Sequence, residues 1–169
     1  MATAIGVLAL AVSAYTAYMQ RQQVRAQVWP ILEFNTGNEP EIRLWIANKG
    51  VGPALIRRAV VTVDEKPVTT WSELLRDLYG PGTYKFMQDQ IRGRVLSAGE
   101  TLSVFVPRFD AAQGDLRARF DRDRFRVGMD LCYCSTLGDC WRLISSPPKL
   151  SRTEDVGRCP DAGATSFQQ

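Results

Sequence analysis

What this chain can fold into is limited most by the stretch Leu44–Asp64, LWIANKGVGPALIRRAVVTVD. Ile42, Leu44 and Ile46 alternate with Arg43, Trp45 and Ala47, the two-residue period of a strand with one buried face. Asn48, Gly50, Gly52 and Pro53 then interrupt the run, because Asn and Gly tolerate positive φ and Pro fixes φ. Beyond them Ala59, Val61 and Val63 alternate with Val60 and Thr62, until Asp64-Glu65-Lys66-Pro67 supplies another turn. The expectation is two strands around a stiff corner, joined as a hairpin or as an arch.

The same residues carry a resemblance. N-K-G-V-G-P-A at Asn48–Ala54, followed by a β run into V-D-E-K-P-V, resembles the first core strands of bacterial immunoglobulin-like modules. Leu96–Val106, LSAGETLSVFV, is similar to a later turn and strand of those modules, and the likeness extends to Val127–Trp141. Glu65 departs from the pattern, standing where a tight D-G turn carries glycine. The whole chain also resembles a group of small bacterial single-pass membrane proteins, through its apolar start, its V-W-P entry and its Y-C-S-x-x-G-x-C-W hairpin. The resemblance implies an immunoglobulin-like antiparallel β-sandwich behind a membrane anchor and brings no activity with it.

Ala2–Met19 is uncharged and mostly apolar, just long enough to cross a bilayer at ~1.5 Å per residue against a core of ~30 Å. Tyr15 and Tyr18 sit near its end, where interfacial aromatics are common, and Arg21, Arg25 and Trp29 follow. No Lys or Arg precedes the run and no small-x-small site follows it, which favours an uncleaved anchor over a signal peptide. Gln20–Val28 extends the helix, and Trp29-Pro30 ends it. Arg21 and Arg25 bias the soluble domain to the cytoplasmic side of a bacterial inner membrane, whereas a cysteine-rich hairpin points to the periplasm.

The expected division is 1–28 as transmembrane anchor and extension, 29–146 as the β-sandwich, and 147–169 as a flexible polar tail. One short helix is inserted at Thr70–Tyr79. Thr70 and Glu73 fit a capping box, Trp71, Leu74, Leu75 and Leu78 share a face, and Gly80-Pro81-Gly82 stops it. That face packs over an open end or edge of the sandwich. Phe109–Arg124, with its alternating charges, is expected as a solvated loop or short helix. Phe125, Val127, Met129, Leu131 and Tyr133 mark a strand that turns at Thr136–Asp139 and returns through Cys140–Ile144.

Chemistry is narrowed by what is missing. The sequence has no histidine, so His-based acid–base catalysis, His-activated nucleophiles and His metal ligands are excluded. A net charge of +3 on 21 basic and 18 acidic residues argues against nucleic-acid binding. No phosphate loop, paired catalytic carboxylates or pocket signature is evident, so neither an enzyme nor a small-molecule substrate is expected. The 4 cysteines remain. Cys132 and Cys134 share the strand face of Arg126 and Asp130, Cys140 lies across the turn, and Cys159 is in the tail. Three arrangements stay open: disulfides Cys134–Cys140 and Cys132–Cys159, an all-thiolate zinc site without the usual C-x2-C pairs, or free thiols. The functional expectation is a protein-interaction or accessory module of a bacterial membrane complex. Its partners are the lipid bilayer and another membrane or membrane-associated protein. The alternative is a cysteine-based metal-binding or redox protein.

Overall fold

The computed structural model describes residues 2–110, 114–147, 149–161, 163 and 166–168. Among them the chain opens with helix α1 (Ala2–Gln27), long and apolar enough to cross a membrane and with none of its apolar window buried against the rest of the protein. Two antiparallel sheets follow, giving a mainly β, sandwich-like domain.

The first sheet contains β1 (Leu32–Gly37), β2 (Arg43–Asn48), β7 (Thr101–Arg108) and β5 (Lys85–Met87), in the order β1-β2-β7-β5. The second has the order β10-β9-β8-β3-β4, from β10 (Arg152–Val156), β9 (Cys140–Ser145), β8 (Val127–Cys134), β3 (Ala54–Val63) and β4 (Lys66–Val68). A two-residue strand, β6 (Val95–Leu96), pairs with the start of β3. β2 and β3 therefore lie in different sheets, and the corner between them is an arch.

The alternation expected of both strands is realised. Leu44 and Ile46 from one sheet and Val61, Met129 and Leu131 from the other are fully buried in one core. An unpaired Val104 opposite Leu44/Trp45 forms a bulge in β7, so Phe105 pairs with Leu44 instead of falling one residue out of phase. Phe105 then receives α2 (Trp71–Tyr79) and α3 (Gly114–Asp123), through Trp71 at 4.6 Å and Phe120 at 5.7 Å between ring centroids. The cap of α2 forms as expected at Thr70, whose Oγ1 accepts from the Glu73 N–H. The Glu73 carboxylate reaches one residue further back than a standard capping box, to the N–H and hydroxyl of Thr69. These bonds, the hydroxyl's first, hold the Glu73 carboxyl below its ordinary range.

The flexible tail from 147 is corrected over much of its described length. Arg152–Val156 pairs with Cys140–Ile144 of β9, from Arg152↔Ile144 to Val156↔Cys140. Phe167 is buried edge-on against Trp71 at 4.7 Å. Its N–H donates to Ala59, in the part of β3 between the segments paired with β6 and β4, and that of Gln168 donates to Thr69 just beyond β4. The polar composition that suggests disorder belongs instead to a charged edge strand and a strap with one aromatic anchor. Ala162, Ala164, Thr165 and Gln169 lie outside the described residues, as does Pro148.

Candidate functional site at the helix–sandwich junction

The arch meets the end of α1 with no clearance. A Cβ on Gly52 would stand 2.2 Å from the backbone carbonyl of Val28, and one on Gly50 would stand 2.3 Å from the Trp29 carbonyl oxygen. Neither glycine has the positive φ that sequence reasoning assigned to this corner. They are small because two backbones touch there. The N–H groups of Val51 and Gly52 both donate to the Trp29 carbonyl, at 3.0 and 3.3 Å.

Asn48 organises the contact. Its side-chain oxygen accepts from Ile31 and Gly50, and its amide nitrogen donates to the carbonyls of Gly52, Leu96 and Ser97. Its backbone exchanges bonds with Glu100 and Gly99. One fully buried amide thus joins the entry to β1, the arch leading through Pro53 into β3, and the turn between β6 and β7. In that turn the Ser97 N–H, at 2.8 Å, holds the Glu100 carboxyl below its ordinary range, with Arg94 adding to the effect.

The other side of the junction is aromatic and charged. Trp29 stacks on Trp141 at 6.3 Å, and Trp141 lies 6.0 Å from Tyr133. The Leu32 N–H donates to the Tyr133 hydroxyl, while burial pushes that phenol's pKa up. Arg25 pairs with Asp139 in the β8–β9 turn at 3.3 Å. Trp29 is therefore only half exposed, with one face on the domain, whereas Tyr15, Tyr18 and Arg21 are exposed along α1.

Next to Asp139 lie the cysteines. Cys134–Cys140 joins residues that face each other directly across β8 and β9, with Cα atoms 4.0 Å apart. Cys132–Cys159 ties the strap after β10 onto the outer face of β8, at a Cα distance of 5.7 Å. Of the three arrangements open to the sequence, the structure contains this pair of disulfides. The two cystines touch: Sγ of Cys134 is 3.8 Å from Sγ of Cys159. The sulfurs of Cys134, Cys140 and Cys159 all lie within 4.8 Å of one another, close enough to hold a soft metal ion once reduced.

Comparison with protein-family models, curated proteins and solved structures gives no match.

Two features escaped the sequence. Arg57 is an extra residue in β3, unpaired between Ile56↔Tyr133 and Arg58↔Cys132. With Cys134, Cys140, Arg158, Cys159, Pro160 and Asp161 it lines a cavity of about 310 Å³. Beside it Asp130 accepts both nitrogens of an Arg142 fork, at 2.9 and 2.7 Å, and also pairs with Arg58. Hydrogen bonding to Asp130 raises the Arg142 pKa further. No run in the sequence announces a bulge, or brings Arg58 to a carboxylate 72 residues further along the chain.

Proposed function

We propose that this chain is a single-pass membrane protein whose immunoglobulin-like, disulfide-stapled sandwich serves as an interaction or accessory subunit of a membrane complex. The observation that carries this reading is the rigid junction. Backbone contact at Gly50 and Gly52, the Asn48 amide, the Trp29–Trp141 stack and the Arg25–Asp139 pair fix α1 to the sandwich without a free linker. Such a joint presents the β-domain at one height and orientation above a bilayer, which suits assembly with a neighbour in the same membrane. A signal peptide needs no comparable fit between its own helix and the mature domain.

The domain lies on the oxidising, periplasmic side. Two disulfides support that side over the cytoplasmic one favoured by Arg21 and Arg25, and Arg25 has a structural partner in Asp139. Crosslinking in native membranes followed by purification in mild detergent tests the interaction: a stoichiometric second protein is expected, and recovery of monomer alone overturns it. Labelling intact spheroplasts with an impermeant thiol reagent tests the side. Label is expected only after reduction; label only after permeabilisation, without reductant, places the domain in the cytoplasm.

A second reading has its own observation. Three sulfurs within 4.8 Å suit zinc if both disulfides are opened. Stoichiometric zinc in protein purified under reductant supports it, and metal-free reduced protein sinks it.

A further inference from the structure

We propose that the paired cystines are a thiol–disulfide exchange site with Cys134 as its pivot, open to an incoming thiolate through the cavity beside them. This goes beyond the interaction reading and does not depend on what the domain binds.

The geometry has three parts. Sulfurs of separate cystines stand 3.8 Å apart at Cys134 and Cys159, so no backbone rearrangement separates a thiolate on one from the sulfur of the other. Both cystines line one cavity of about 310 Å³, roomy enough for a small thiol or the tip of a protein loop. Arg57 and Arg158 line the same cavity, with Asp161 as the acidic group among them. Arg57 is there because the β3 bulge adds a residue opposite β8 beside Cys132. Positive charge around a cystine favours the thiolate that leaves it.

The exchange runs in balanced steps. A thiolate attacks Sγ of Cys140. A mixed disulfide forms on Cys140, the Cys134–Cys140 bond breaks, and Cys134 departs as a thiolate. Cys134 then attacks Sγ of Cys159. The Cys134–Cys159 bond forms, the Cys132–Cys159 bond breaks, and Cys132 leaves and takes a proton from solvent. A second thiol resolves the mixed disulfide on Cys140. Two thiols are oxidised to one external disulfide, and one cystine is reduced to the thiols of Cys132 and Cys140. The strap carrying Cys159 stays covalently attached once exchange is complete. What is released is Cys140, next to the Asp139 that grips Arg25, so the cross-link lost is the one that stiffens the clasp on α1.

The test uses the full chain in detergent, treated with limiting reduced glutathione or with a thioredoxin-type dithiol protein, then acid-quenched, alkylated and mapped by mass spectrometry. A crossed Cys134–Cys159 peptide is expected. Its appearance with glutathione assigns the site to small thiols, and its appearance with the dithiol protein alone assigns it to a protein reductant. Opening of Cys134–Cys140 with Cys132–Cys159 intact in both arms overturns the proposal. A Cys140→Ser variant isolates the second step without reductant. It is expected to contain Cys134–Cys159 beside Cys132–Cys159, and Cys134 found wholly alkylatable counts against exchange. An Arg57→Ala, Arg158→Ala double variant is expected to slow the crossed product several-fold; an unchanged rate removes the arginines from the mechanism.

Discussion

At the end of the sandwich that meets α1, a buried asparagine bonds to three chain segments and two glycines let backbones touch. At the opposite end, the two-residue turn between β3 and β4 is held by ion pairs roughly half open to water. There Arg126 forks onto Asp64 at 2.6 and 3.0 Å and reaches Asp123 at 3.1 Å, while Lys149 meets Glu65. The difference is one of tolerance. Contacts between backbones have no slack, whereas long charged side chains can find other partners and are screened by salt. Precision was placed where the domain is joined to its helix.

The largest expected effect comes from Gly52→Ala. The added Cβ overlaps the Val28 carbonyl at 2.2 Å, and because that neighbour is backbone it cannot swing aside. A loss of about 3 kcal/mol is expected in denaturant unfolding. Red-shifted Trp emission should accompany it as Trp29 leaves Trp141. If stability and emission are unchanged, the junction is looser than these contacts state.

Asn48→Ala should cost about 2–3 kcal/mol, because it strands buried carbonyls at Gly52, Leu96 and Ser97 and the N–H groups of Ile31 and Gly50. The same melts measure it. A cost no greater than that of a surface substitution would erase the contrast between the two ends.

At the far turn a substitution should stabilise. Asp64 and Glu65 have φ of 49° and 67°, the left-handed pair that a two-residue hairpin demands. Glu65→Gly removes the steric cost of that conformation and gives up an exposed pair with Lys149, for a net gain of about 0.5–1 kcal/mol. Thermal melts should move upward; a fall would show that the Lys149 contact outweighs the backbone.

The smallest effect is expected from Arg126→Ala, below about 1 kcal/mol at neutral pH. Its signature lies in pH. The Arg126 hydrogen bond holds the Asp64 carboxyl below its ordinary range. A depressed carboxyl contributes stability that is present above its unfolded pKa and lost as pH falls through the folded value. Wild-type protein should therefore lose more stability than Arg126→Ala on acidification through the carboxylate range. Parallel pH–stability curves would remove this ion pair from the account.

How much of this was legible follows from the range of each cause. The strand from Val127 to Tyr133 and the face shared by Cys132 and Cys134 follow from a two-residue period. The cap at Thr70 and Glu73 needs only four neighbouring residues. The apolar length of α1 is likewise a local property. Glu65 stood out as a departure from a D-G turn, and its positive φ gives that departure a physical meaning.

Gly50 and Gly52 were recognisable as special, yet the reason was not. A glycine serving a turn and one serving a close approach look alike until the second chain segment is in place. Phe167 in its polar strap, the bulge that adds Arg57 beside Cys132, and the meeting of Asp130 with Arg58 all depend on partners many residues away. The sequence alone determined the apolar first helix, the capped second helix, the long core strands with their faces, and which cysteines were candidates for pairing. Only the tertiary structure decided that β2 and β3 part into separate sheets, that the strap returns Cys159 to Cys132, and that four sulfurs gather beside the root of α1. Periodicity and capping act within a few residues of the chain, whereas arches, straps and cystine contacts are set by how completed faces pack against one another.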